Sequence, residues 1–225
     1  MKFSVSIAAL LCFAAGTVVA AEPTHKLSPV KGLPKGLSPK VAAALQETGH
    51  QITGPDGEVC VIWPGKDLAV KANFKPSLSV AYPFTNGQLL GIVQFPEGKV
   101  GVDFRAQELS PGVYTLRYAQ QPIDGNHLGT SEIRDFCLAI PAAEDKDPKP
   151  IFNTMELMEL SAKASGSTHP AIFLMSAPPE KPEKETKLIH DEDHDYTIVQ
   201  LATTGKEKDK TVPLSIQIVV IGLGE

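Results

Sequence analysis

The chain has 225 residues, 21 basic against 26 acidic, for a net charge of −5. That length allows one sizeable domain or two small ones. A mildly acidic chain with no basic block lacks the clustered positive face that nucleic acid requires, and the same charge disfavours an anionic lipid surface.

Lys2 precedes an apolar run over residues 5–15. The run is too short to span a bilayer as a helix, which takes roughly 20 apolar residues. Val18 and Ala20 match the small-residue pattern read by a signal peptidase. Residues 1–20 therefore read as a secretory signal peptide, which makes the protein secreted or periplasmic, with a mature N-terminus at Ala21 or Glu22. Cys12 lies in mid-run and is not a lipid-anchor site. Lys2 leaves with the signal, so 21 basic residues become 20 against 26, or −6. No later segment is long and apolar enough to insert in a membrane.

Residues 21–37 hold Pro29, Gly32, Pro34 and Gly36, and their composition predicts a flexible lead-in. A helix follows, with Ser38 as N-cap, Pro39 at the first helical position and Gly49 at its end. Beyond it the pattern turns β. Asp56-Gly57 between apolar runs at 51–53 and 58–63 signals a hairpin. Further strands are expected at 78–82, 88–95, 100–105, 113–120 and 135–140. In 113–120, Tyr114, Leu116 and Tyr118 alternate with Thr115 and Arg117, which places the first three inward and the last two outward. Asn153 with Glu156 opens a second helix that ends at Gly166. Met155, Leu157, Met158 and Leu160 on it suggest a soft binding surface, although packing the helix on the sheet is the simpler role for them. Strands at 171–175, 196–201 and 212–221 complete the chain. Between the first two, residues 177–195 form a charged, Pro-rich loop expected to be disordered. Strands at about ten-residue spacing with turn residues between them predict a sandwich or barrel. Residues 38–225 thus read as a single, mainly β domain, a β-sandwich with two accessory helices.

Catalytic signatures fail: there is no HExxH, GxSxG, CxxC or P-loop. Only Cys60 and Cys137 remain in the mature chain. An oxidising compartment permits a disulfide between them, and closing so long a loop stabilises by roughly 4 kcal/mol. The alternative is two buried thiols that act as small hydrophobes.

Two segments carry candidate sites. The loop at 120–134 is longer than a hairpin needs and concentrates Asp124, Asn126, His127, Thr130, Glu132 and Arg134, a set suited to binding a small ligand or protein partner. An ordinary solvated loop is the competing assignment. It is not a calcium loop, since the ligand spacing breaks at Leu128. The second segment is His190-Asp191-Glu192-Asp193-His194-Asp195. His190 and His194, four apart, share a side on a helix or a strand, with Glu192 between them on a strand. Imidazole with carboxylate suits zinc or copper, and His127 is the candidate third ligand. A solvated charge run is the alternative.

Leu109-Ser110-Pro111-Gly112-Val113-Tyr114-Thr115-Leu116 resembles the corner of carboxypeptidase regulatory-like (transthyretin-like) domains and, more loosely, of fibronectin type III domains. In those families Pro-Gly turns the chain into a strand and the Tyr packs inward. The chain as a whole resembles secreted bacterial β-sandwich proteins without an assigned activity. The resemblance implies an immunoglobulin-like or transthyretin-like scaffold that acts as a non-catalytic module. The functional expectation is an exported binding module. The alternatives are a divalent-metal-binding protein and, more remotely, a hydrolase without a recognisable motif.

Overall fold

Alternating apolar residues, punctuated by Pro, Gly and Asn, build a mainly β fold. The computed structural model describes residues 25–123 and 131–224; residues 1–20, expected to be a signal peptide, and the loop residues Asp124, Asn126, His127 and Thr130 fall outside them. In chain order the elements are β1 (Lys26–Lys31), α1 (Pro39–Ala43), β2 (Thr48–Gly54), β3 (Gly57–Pro64), β4 (Leu68–Ala69), β5 (Leu89–Phe95), β6 (Gly101–Val102), β7 (Glu108–Leu109), β8 (Gly112–Gln120), β9 (Asp135–Pro141), α2 (Thr154–Ser165), β10 (Ala171–Ser176), β11 (Lys187–Asp191), β12 (Tyr196–Glu207) and β13 (Lys210–Ile221).

The ladder runs β1-β2-β3-β5-β8-β9-β10-β13-β12-β11, with β4 added in parallel on β12 and β6–β7 paired apart. This is one continuous sheet rather than two separate ones. β10 is the corner: Phe173 faces Cys137 of β9, and Met175 faces Ile218 of β13. The sheet curls into a half-barrel, and its two ends approach where His25 Nδ1 lies 3.5 Å from Thr197 Oγ1. Ile52, Ile62, Val93, Leu116, Phe173, Val199 and Ile218 fill the inside. Outside, α2 lays Leu157 on Ala119, Leu138 and Ile140. Trp63 packs with Val41 and Leu45, and its Nε1 donates to the Gly32 carbonyl at 2.9 Å.

Local chemistry explains the elements that match expectation. Asn153 Oδ1 accepts from the amides of Met155 and Glu156 at 3.0 and 3.3 Å, and Gly166 closes α2 at φ 62°. At the Pro111-Gly112 corner, Gly112 takes φ 153°, Tyr114 is buried, and its hydroxyl donates to the Ser110 carbonyl at 2.7 Å.

Other elements differ. The expected flexible lead-in carries β1, in unbroken register with β2 from Lys26↔Thr53 to Lys31↔Thr48. Leu27 packs on the inner core and Val30 on the Trp63 cluster, so the strand is gripped on both faces. Pro29 and the flanking lysines suit it to an edge. The first helix ends at Ala43, and Thr48 and Gly49 join β2. Residues 78–82 form no strand. Residues 100–105 give only β6, because the buried Asp103 carboxylate turns the chain by accepting from the amides of Arg105, Gln107 and Ile172. In the charged segment expected to be disordered, 187–191 is the edge strand β11. Residues 177–186 form a strap that must cross β13 and β12 to reach β11. Glu183 N donates to Ser215 Oγ at 2.8 Å, and Ala202 N to Thr186 Oγ1 at 3.0 Å. Thr115 and Arg117 do face opposite to the tyrosines, but both are fully buried there.

Candidate functional site

One end of the curled sheet is open. The β2–β3 turn, the β5–β6 connection and the C-terminal end of β13 meet there around a groove of about 430 Å3. Its walls are Val59, Phe95, Val100, Val102, Val220 and Leu223, and its polar groups come from His25, Asp56, Glu58 and Lys99. Val100 is 54% exposed, Val102 45% and Leu223 54%. Scattered apolar side chains at a surface need no explanation, but apolar side chains gathered around one concavity do.

The local sequence makes this shape. Gly57, at φ 99°, closes the hairpin opposite Gly54. Phe95 forms part of the groove, held by edge contact with Tyr114 at 5.9 Å and stacking on Phe173 at 6.4 Å between centroids. Gly101 permits this, because a Cβ there would lie 2.6 Å from the Phe95 ring. Lys99 Nζ donates to the Asp56 carbonyl. Glu58 Oε2 accepts from Gln51 Nε2 at 2.6 Å.

Elsewhere the polar clusters are structural. Arg117 is fully buried, and all five of its N–H groups are engaged. Nε and Nη2 hold the Asp145 carboxylate at 2.7 and 2.6 Å; the remaining donors reach the carbonyls of Gly87, Asp147 and Lys149. Thr115 Oγ1 adds a bond to Asp145 at 2.5 Å. The cluster pins residues 145–149 over the outer face of β8. Alternation along β8 places Arg117 on that face but carries no signal for the segment that covers it.

Arg134 and Glu132 are the members of the candidate binding loop that are described. Arg134 Nε and Nη2 both donate to the Gln121 carbonyl, at 2.8 and 2.5 Å, so this guanidinium clasps the base of the loop. Beside it, buried Asp135 accepts from Tyr118 Oη at 2.5 Å and from Ala81 N at 2.8 Å. Burial pushes the Asp135 carboxyl above its ordinary value, against the lowering effect of those bonds. Burial likewise raises the Tyr118 and Tyr82 phenols. This base sits at the Gln120 end of β8, opposite the groove, where Phe95 pairs with Gly112.

His190 is the penultimate residue of β11, and Glu192 and His194 follow in the turn to β12. His194 Nδ1 lies 2.9 Å from Asp191 Oδ2. This bond raises the imidazole and lowers the carboxyl, with smaller effects on His194 from Glu132 and Asp193. Its ring also stacks on Tyr196 at 5.2 Å. His190 Nε2 is 3.9 Å from Asp195 Oδ1. Among the described residues no three His, Cys, Asp or Glu side chains gather as a metal set.

Cys60 and Cys137 are free, buried thiols, the second of the two alternatives for this pair, and not the candidate disulfide. They sit on β3 and β9, with β5 and β8 between them in the ladder. Strand spacing of about 4.8 Å carries them beyond bridging reach along the sheet. Burial pushes the Cys60 thiol up to about 12 and raises Cys137 as well. On α2, Leu157 and Leu160 pack on the sheet as expected, whereas Met155 is 64% and Met158 39% exposed. No helix among the described residues is long and apolar enough to cross a membrane.

No family model, no curated protein and no solved structure matches the chain.

Proposed function

We propose that this chain is an exported, non-catalytic binding module that holds a small apolar ligand in the groove at the open end of its sheet. The two halves of the sheet, facing each other across one core, serve as the scaffold in the manner of a β-sandwich. The observation that carries the proposal is the grouping of half-exposed Val100, Val102 and Leu223 around a concavity of about 430 Å3. That volume falls among small-molecule sites, which run from about 300 to 1,000 Å3. Loops at one end of a rigid sheet form the rim, as expected of a binding module. Export rests on the apolar run before Ala20; a mature N-terminus at Ala21 or Glu22 in mass spectrometry supports it, and an intact Met1 on the exported protein refutes it.

The test is a titration with the neutral fluorophore N-phenyl-1-naphthylamine. Wild type is expected to enhance its emission saturably. The double variant Val100→Asp/Val102→Asp is expected to bind at least about tenfold more weakly, since two charges would have to be desolvated, while keeping its melting temperature. Equal binding by the two proteins contradicts the proposal.

Divalent-metal binding is the second reading. The Asp191–His194 bond supports it, because a carboxylate on one imidazole nitrogen orients the ring and strengthens the other nitrogen as a ligand. Calorimetric titration with zinc and copper tests it. Binding unchanged in His190→Ala/His194→Ala returns this turn to a solvated charge run.

A further inference from the structure

We infer that the ligand of the groove is an apolar molecule bearing a single carboxylate, an alkyl or aryl acid whose head is taken by Lys99. The inference rests on the groove being the ligand site.

Charge at the rim is the starting point. Of its two acids, Glu58 accepts from Gln51 and keeps its charge, and Asp56 sits at an exposed turn tip, where water screens it; the preference argued here is therefore local to the Lys99 ammonium. Lys99 is half-buried, and its ammonium donates to the Asp56 carbonyl, a neutral acceptor. Among the described residues it pairs with no carboxylate. Three more exposed lysines do: Lys163 with Glu144 at 2.6 Å, Lys187 with Glu183 at 3.1 Å, and Lys40 with Asp147 at 3.1 Å. The groove therefore holds a cation on a backbone oxygen, beside a wall of valines.

An ammonium has three donors, and the Asp56 carbonyl accounts for one. A ligand lying along Val59, Val100 and Val102 displaces water from the others. A neutral head replaces that water poorly, and a cationic head is repelled. A carboxylate restores it with charge-assisted bonds, the stronger kind. Gly57 keeps the approach open: at φ 99° it carries no side chain, and a Cβ there would stand 3.3 Å from Lys99 Nζ.

The experiment is isothermal titration of the mature chain with octanoate, 1-octanol and octylammonium, which share one tail and differ in head charge. Octanoate is expected to bind about tenfold tighter than 1-octanol, the difference between a charged and a neutral hydrogen bond, and octylammonium weakest. Lys99→Met should bring octanoate down to the affinity of 1-octanol, and Lys99→Arg should restore the preference. Equal binding of octanoate and 1-octanol by wild type overturns the carboxylate inference and leaves the groove standing. Tighter binding of octylammonium also overturns it, with Asp56 and Glu58 then setting the sign. Absence of saturable binding by all three overturns the groove itself.

Discussion

Truncating Asp145 to Ala should strand a charge inside the protein. The Arg117 side chain has no exposure and that of Asp145 3%, and they meet at 2.6 Å. Without the carboxylate, Arg117 Nε and one Nη2 hydrogen lose their acceptor, and Thr115 Oγ1 keeps only the longer contact to the Ile140 carbonyl at 3.4 Å. Removing one partner of a buried pair costs about 3–5 kcal/mol. At roughly 2–4 °C per kcal/mol for a chain of this size, the melting temperature should fall by about 6–20 °C. The double change Arg117→Met/Asp145→Leu tests the mechanism further. A simple buried pair replaced by apolar groups is often neutral. Here the guanidinium also serves the carbonyls of Gly87, Asp147 and Lys149, and each orphaned acceptor costs about 1 kcal/mol or more. The double variant should thus stay about 3 kcal/mol below wild type. Lys40→Ala, at an exposed pair with Asp147, is the control and should cost less than about 1 kcal/mol. Urea unfolding followed by the single, buried Trp63 reads all of them. An Asp145→Ala variant within about 1 kcal/mol of wild type would refute the pinning role of Arg117.

Gly87→Ala should cost at least about 3 kcal/mol, the upper end for strained φ alone, because φ is 77° and a Cβ would meet the Ile151 carbonyl oxygen at 1.9 Å. Gly36→Ala, at φ 91° but with nothing within 4 Å, should cost less; equal urea midpoints for the two would contradict this. Cys60 and Cys137 should resist thiol reagents in the native protein and react fully in denaturant without reductant, whereas failure to react in denaturant would reveal a bridge. Asp135 supplies a pH dependence. Its folded pKa is raised, so its stabilising contribution is complete below the unfolded carboxyl value near 3.9 and is lost as the pH rises through the folded one. The stability gap between wild type and Asp135→Asn should therefore be wider at about pH 4 than at about pH 7, and a gap that narrows on acidification would show the sign to be wrong.

Where local chemistry decides structure, the sequence was legible. Asn153 and Gly166 bound α2, and the Pro111-Gly112 corner with Tyr114 set the inward face of β8. Where a long-range partner decides, it was not. β1 hides under Pro29 and Gly32 because its strand character comes from pairing with β2. Residues 78–82 look like a strand, yet Asp135 rather than a ladder neighbour takes the Ala81 amide. Arg117 reads as outward because periodicity gives the face of a strand and not what covers it. Arg134 reads as a ligand group, and the bonds of its Nε and Nη2 to the Gln121 carbonyl give it a structural role that the sequence does not show. The groove joins Val102 to Leu223 across most of the chain, and no motif spans such a distance.

The groove is tested most directly by amide shift mapping of the 15N-labelled protein during titration with 1-octanol. The largest shifts are expected at Val59, Val100, Val102, Val220 and Leu223, with Met155 and Met158 on α2 unmoved. Shifts centred on the α2 methionines, or scattered without saturation, would contradict a ligand site at the open end of the sheet.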